Sequence, residues 1–108
     1  GAPHGGISVG EDGASHQCCE DFALMRTIPG MVVICPSDDL EARAAVRAAY
    51  AMQGPVYLRF GRLAAPIFND ATTYKFEMGK GITLTYEEMQ AVCDAFADFA
   101  ENEELPEA

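Results

Sequence analysis

Basic residues are scarce in this 108-residue sequence: seven Lys and Arg stand against seventeen Asp and Glu, for a formal charge of −10. None of the seven lies in residues 86–108, which carry eight acids, whereas residues 1–85 carry nine acids and all seven bases. Without a basic stripe to neutralise phosphates, neither nucleic acid nor an anionic membrane surface is an expected partner. No apolar run approaches the roughly 20 residues of a membrane span, and the N-terminus carries no secretory-signal pattern. Cys18, Cys19, Cys35 and Cys93 form no C-x-x-C pair and no finger spacing, and two adjacent cysteines on a helix cannot face one ligand. They read as reduced structural thiols rather than a metal site, in a protein expected to be cytoplasmic. No internal repeat is present. What remains is a chain long enough for one small domain, with 49% hydrophobic residues to build its core.

The spacing of those residues predicts α/β architecture. Met31-Val32-Val33-Ile34 is a short, fully apolar run, as expected for a strand buried on both faces. Pro36-Ser37-Asp38 closes it and opens a helix, with Asp38 as N-cap and Glu41 completing a capping box. The helix is expected to run to about Met52, Gly54-Pro55 to end it, and residues 56–60 to form the next strand. Strand, helix, strand is a βαβ unit with a parallel crossover. In sheets of this kind ligands gather beyond the carboxyl ends of the strands, where Arg62 stands.

Gly10-Glu11-Asp12-Gly13-Ala14-Ser15-His16-Gln17, with His4 eight residues before Asp12, sets two imidazoles and a carboxylate near one another on a Gly-rich loop. Ser15 is placed to cap a helix over residues 18–26, with His16 in its first turn, where unpaired N–H groups favour anions and the dipole favours a neutral ring. Such a loop suits a polar substrate with hydroxyls or an oxyanion. It is equally compatible with an Asp-Gly turn beside two solvated histidines. Arg62 offers a planar fork that matches a phosphate, or is a surface arginine ahead of Leu63-Ala64-Ala65-Pro66. Arg59, inside the strand, is expected to pair with a carboxylate or pack its stem. Arg43 and Arg47, four apart, read as a solvated or subunit-facing stripe on their helix.

Beyond this, Thr85 and Glu88 form a second capping box, and Met89, Val92, Cys93, Phe96, Phe99 and Ala100 fall on one helical face. An amphipathic helix is predicted there, with an acidic back face and a frayed end over 101–108. Its stripe either packs onto the rest of the chain or docks into a partner's groove. Two units are therefore expected, 1–84 and 85–108.

The sequence from His4 to Arg62 resembles the pyrimidine-binding (Pyr) domain of the transketolase family. The stretches that carry the resemblance are residues 4–17 (HGGISVGEDGASHQ), 23–31 (ALMRTIPGM), Pro36-Ser37-Asp38 and residues 54–62 (GPVYLRFGR), in family order and at family spacing. The wording is most similar to the C-terminal polypeptide of split transketolases, and residues 74–84 (YKFEMGKGITL) resemble the family's strand leading out of the Pyr domain. The resemblance implies a Pyr-type parallel sheet with flanking helices, in truncated form, and transfer of a two-carbon ketol unit between sugar phosphates. It implies that His4 and His16 contact substrate hydroxyls and carbonyl oxygen and exchange protons with them. Asp12 would accept from a sugar hydroxyl and Arg62 would anchor the phosphate, while Glu11 would have a structural role in the loop.

The same resemblance implies thiamine diphosphate and Mg2+ in the complete assembly. Neither is expected to be held by this chain alone. The family's cofactor-activating glutamate and aromatic pocket lie upstream of its histidine motif, and only three residues precede His4. No Gly-Asp-Gly…Asn pattern for diphosphate and metal is present either. The expected partners are thus a sugar phosphate and a diphosphate-binding subunit or domain, in a homo- or hetero-oligomer, with the isolated chain inactive. Two alternatives stand beside this reading. One is a related enzyme, deoxyxylulose-phosphate synthase or a 2-oxoacid dehydrogenase β subunit. The other is a non-catalytic remnant or binding module working through its acidic helix.

Overall fold

The computed structural model describes residues 1–81 and 83–102. Two 3-10 turns, Gly10–Asp12 and Ala14–His16, precede helix α1 (Asp21–Arg26) and strand β1 (Val32–Ile34). Helix α2 (Asp39–Ala51), strand β2 (Val56–Leu58) and helix α3 (Tyr86–Asn102) follow. β1 and β2 pair in parallel, with Val33 opposite Tyr57, so the expected βαβ unit is present as a two-stranded sheet.

α2 forms where its signals stand. Asp38 is extended and its carboxylate accepts the Glu41 N–H at 2.9 Å. Glu41 reciprocates one residue further out than a capping box requires, accepting the backbone N–H of Ser37 at 2.7 Å together with its hydroxyl. Asp39 and Arg43 pair across one turn at 2.7 Å. The second Asp38 oxygen reaches across the fold to the N–H groups of Phe68 and Asn69, at 3.3 and 2.9 Å. One buried carboxylate thus starts a helix and tethers the segment that follows β2.

The strands are shorter and less covered than their apolar runs suggest. β1 is half-buried instead of fully buried: among the described residues α1 packs beside β1 and α2 beside β2, and no other element packs on the sheet as closely. β2 stops at Leu58, although Arg59 N–H still bonds Ile34 O at 2.9 Å. There the N-terminal segment takes over as neighbour: Ala2 N–H donates to Leu58 O and Phe60 N–H to Ala2 O, both at 2.8 Å. Among the described residues buried apolar side chains are few (Val9, Ala45 and Leu58), while Ile7 is 74% and Tyr50 94% exposed.

Three expectations about elements are corrected. The helix expected over 18–26 begins at Asp21, because Cys18 spends its backbone on non-local partners: its N–H donates to His4 O and its C=O accepts from Gly6. Ser15 consequently caps no α-helix and His16 ends a three-residue 3-10 turn, so no helix dipole acts on it. No strand forms over the described part of 74–84, which instead holds a turn near Met78-Gly79; Ile82 lies outside the described residues. An extended run of that kind needs a neighbouring strand for its N–H and C=O groups.

α3 starts with its capping box intact, Thr85 N–H to Glu88 Oε2 at 2.7 Å and Glu88 N–H to Thr85 Oγ1 at 3.2 Å. The face it turns to the 68–75 segment carries Glu88, Ala91, Val92 and Ala95. The expected stripe is thus turned away in part: Val92 is half-buried, but Met89 is 52% exposed and Cys93 is exposed. The side chains of Phe96, Phe99 and Ala100, and residues 103–108 of the expected frayed end, lie outside the described residues. Among the described residues no helix is long and apolar enough to cross a membrane.

Candidate functional site

The carboxyl end of β2 and the N-terminal segment beside it bring four polar residues together. His4 follows Ala2, which is fixed against β2, and Arg62 lies four residues past the end of β2. The loop over 10–16 crosses between them. Gly13 has a φ of 71°, a left-handed turn that lets one 3-10 turn end and the next begin. Gln17 Nε2 ties the loop back to Ile7 O at 3.2 Å.

Asp12 is the meeting point. Its Oδ2 accepts from His4 Nε2 at 3.2 Å and from Arg62 Nε at 2.8 Å. Its backbone oxygen bonds His16 Nδ1 at 3.1 Å, and the Ser15 hydroxyl lies 3.0 Å from the same nitrogen. The two imidazole centroids are 5.8 Å apart and tilted by 51°. All four sequence-selected residues, His4, Asp12, His16 and Arg62, therefore form one cluster. The hydrogen bond from the Arg62 guanidinium holds the Asp12 carboxyl below its ordinary value; partial burial opposes this and His4 adds to it.

These bonds also fix where the protons sit. A backbone carbonyl only accepts, so His16 carries hydrogen on Nδ1 and its neutral ring keeps Nε2 as the basic nitrogen. An ionised carboxylate only accepts, so His4 carries hydrogen on Nε2 and keeps Nδ1 basic. When neutral, the two rings are thus opposite tautomers, each with one ring nitrogen that has no hydrogen-bond partner among the described residues.

A second layer holds this cluster and contains residues that no sequence pattern singled out. Arg59 does pair with a carboxylate, as expected; its partner is Asp21, 38 residues upstream, at 2.8 Å. The Asp21 side chain is 3% exposed and that of Arg59 16%. Arg59 Nη2 also donates to Cys18 O at 3.1 Å, Tyr57 donates to Asp21 at 3.0 Å, and the guanidinium lies 4.2 Å from the Phe22 ring centroid. Burial pushes the Asp21 carboxyl up, yet the Arg59 and Tyr57 bonds outweigh it and hold it below its ordinary value. Gly5 packs directly on this arginine: a Cβ there would lie 2.5 Å from Arg59 Nε. His4 itself has a φ of 65°, a left-handed conformation that costs a non-glycine residue about 1–3 kcal/mol.

The described residues contain no group of three or more His, Cys, Asp or Glu able to hold a metal ion. A concavity between α3 and the 68–75 segment, lined by Phe68, Tyr74, Leu84 and Val92 among others, lies apart from the cluster and contains none of its residues.

Fold and cluster together define an open α/β domain that presents a cluster of polar groups at the carboxyl end of its parallel strands. Residues 2–67, which include all four clustered residues, match the family model for the transketolase pyrimidine-binding domain, and the chain belongs to that family. It is 44% identical over 108 residues (99% of this chain, 32% of the relative) to a Methanocaldococcus jannaschii protein named "Putative transketolase C-terminal section". That match runs through α3 as well. A 1-deoxy-D-xylulose-5-phosphate synthase of Glaesserella parasuis is 35% identical over 99 residues, 92% of this chain and 16% of the synthase. Among solved structures, a split gene transketolase described as an inactive beta4 tetramer is similar with a TM-score of 0.59 and 43% identity. That match covers 73% of this chain and 24% of the tetramer's chain. The chain thus spans about a third or less of the length of these relatives.

Proposed function

We propose that this chain is the substrate-side segment of a transketolase-type enzyme that moves a two-carbon ketol unit between sugar phosphates. The observation that carries the reading is the convergence of His4, His16 and Arg62, up to 58 residues apart in sequence, on one residue at the carboxyl end of β2: His4 and Arg62 bond the Asp12 carboxylate and His16 its backbone oxygen. In this reading Arg62 binds the phosphate and Asp12 accepts from a sugar hydroxyl. His4 Nδ1 and His16 Nε2 hold or take protons at the substrate's hydroxyl and carbonyl oxygens. Phosphate binding at Arg62 supplies remote binding energy that positions the reacting carbonyl. Thiamine diphosphate would supply the carbanion chemistry when bound in the complete enzyme. The resemblance assigns the diphosphate and Mg2+ to a partner subunit or domain.

That assignment is supported by two relatives. One is a component subunit of the apulose-4-phosphate transketolase of Phocaeicola vulgatus, 38% identical over 80 residues, and the other is the inactive tetramer of the split gene transketolase. Residues 1–84 would then be the Pyr-domain part, with 85–108 as an appended helix and tail. The experiment is ketol transfer by the reconstituted assembly with Arg62→Ala. Losing charge-assisted bonds to a phosphate should lower kcat/KM for a sugar phosphate by about 10- to 100-fold. Unchanged turnover sinks the reading. The likeness to deoxyxylulose-phosphate synthases favours a second one, in which the same assembly forms deoxyxylulose phosphate and transfers no ketol unit between sugars.

A further inference from the structure

We propose that Asp12 is the positioning residue for Arg62, so that phosphate recognition by this site depends on a carboxylate that never touches the phosphate. This rests on the reading of Arg62 given above. The geometry divides the work of Asp12 between its two oxygens. Oδ2 takes Arg62 Nε–H at 2.8 Å and His4 Nε2–H at 3.2 Å, while Oδ1 has no protein partner among the described residues. Oδ1 is therefore the oxygen open to a sugar hydroxyl, and Oδ2 is committed to holding its neighbours.

Arg62 needs such a hold. Its side chain is 48% exposed, it follows Gly61, and Asp12 is its one hydrogen-bonded side-chain partner among the described residues. A guanidinium on a flexible stem in water has no fixed direction, and fork-like recognition of a phosphate requires one. Engaging the guanidinium at Nε fixes its plane and leaves the terminal nitrogens, the pair suited to two parallel phosphate bonds, with no protein acceptor among the described residues. Asp12 is itself held by His4 at the same oxygen and by its place in the 3-10 turn, so the direction it imparts is defined. A carboxylate that merely selected a hydroxyl would not need to spend an oxygen on the phosphate-binding arginine.

The test is a discrimination ratio in the full reconstituted assembly: kcat/KM for a phosphorylated ketose divided by that for the same ketose without phosphate. The parent, Arg62→Ala, Asp12→Ala and the double variant are compared, with thermal unfolding recorded for each. Arg62→Ala should collapse the ratio. Asp12→Ala should lower it at least about fivefold, the scale of one charge-assisted hydrogen bond, beyond any loss common to both substrates. The double variant should match Arg62→Ala alone, since a positioning residue has nothing left to position. Asp12→Asn, which keeps one acceptor oxygen for two donors, should fall between parent and Asp12→Ala.

An Asp12→Ala ratio equal to the parent's, with both substrates losing alike, overturns this inference and leaves the phosphate role of Arg62 standing. A ratio indifferent to Arg62→Ala overturns both. An independent readout needs no turnover: exchange of the Arg62 Nε proton, followed by NMR in the unliganded assembly, should be slow in the parent and fast in Asp12→Ala. Equal rates would refute the hold.

Discussion

Replacing Gly5 by alanine tests whether the Arg59–Asp21 pair is the fixed support on which the site is built. Gly5 has no left-handed φ to defend, so alanine meets no backbone objection. What it meets is Arg59: the new Cβ would lie 2.5, 2.8 and 2.9 Å from Nε, Cγ and Cζ. These are atoms of the middle of the side chain and of the guanidinium itself, and they are pinned by Asp21 at 2.8 Å, Cys18 O at 3.1 Å and the Phe22 ring. Either Arg59 leaves a buried carboxylate uncompensated, or the segment carrying His4 is pushed off β2. Breaking a buried pair costs about 3–5 kcal/mol, and sharing the displacement between both sides gives an expected loss of about 3 kcal/mol. Urea unfolding of Gly5→Ala, Arg59→Ala and the double variant measures it. In the Arg59→Ala background the clash is gone, and Gly5→Ala should cost less than about 0.5 kcal/mol, the limit within which independent sites add. An equal cost in both backgrounds would show that Gly5 is required for some reason other than the space Arg59 occupies.

Two further outcomes follow from the carboxylates around α2. Asp38→Ala removes an N-cap worth about 1 kcal/mol and withdraws the charged acceptor of the Phe68 and Asn69 N–H groups. A total loss of about 2–4 kcal/mol is expected, with faster amide exchange at Phe68 and Asn69, and Asp38→Asn should recover part of it. Burial, with the Glu41 and Asp38 carboxylates, pushes the Tyr74 phenol up to about 12 from 10.0. Because the folded value is the higher one, its contribution is complete below pH 10 and lost as pH rises through 12. Relative to Tyr74→Phe, the parent should lose roughly 2 kcal/mol of unfolding free energy across that range; parallel curves would refute the cause.

Local signals carried the local elements. Asp38 at one end and Gly54-Pro55 at the other bound α2, and Thr85 with Glu88 starts α3, because caps and breakers act within a few residues of themselves. The two apolar runs were enough to place β1 and β2 in parallel. What failed was set at a distance. Cys18 reads as helical although its backbone is taken by His4 and Gly6, and the resemblance makes residues 74–84 a strand for which the described residues hold no neighbour to pair with. The site was legible in another way. That Arg59 would find a carboxylate follows from burying a charge beside a strand; that it would be Asp21 does not. Asp12 and Arg62 are 50 residues apart, and no periodicity joins them. Only the resemblance set them in one place before their 2.8 Å contact was known.

The strain at His4 shows how support and site are coupled. A left-handed histidine persists only where its surroundings over-determine it, and here they do so on both sides. Gly5 N–H is bonded to Phe60 O at 2.9 Å, and His4 O accepts from Cys18, whose own carbonyl is held by Gly6 and by Arg59. The energy that keeps His4 turned toward Asp12 therefore comes from the sheet edge and the buried Arg59–Asp21 pair, not from Asp12, which is exposed enough for water to weaken its bonds. Stability and function should then separate along this line. Asp12→Ala should leave the unfolding midpoint near the parent's while changing how phosphate is recognised, whereas Gly5→Ala should lower the midpoint and the activity together. Were Asp12→Ala to unfold the chain as readily as Gly5→Ala, the order of dependence would be reversed, and the cluster would be holding the fold instead of being held by it.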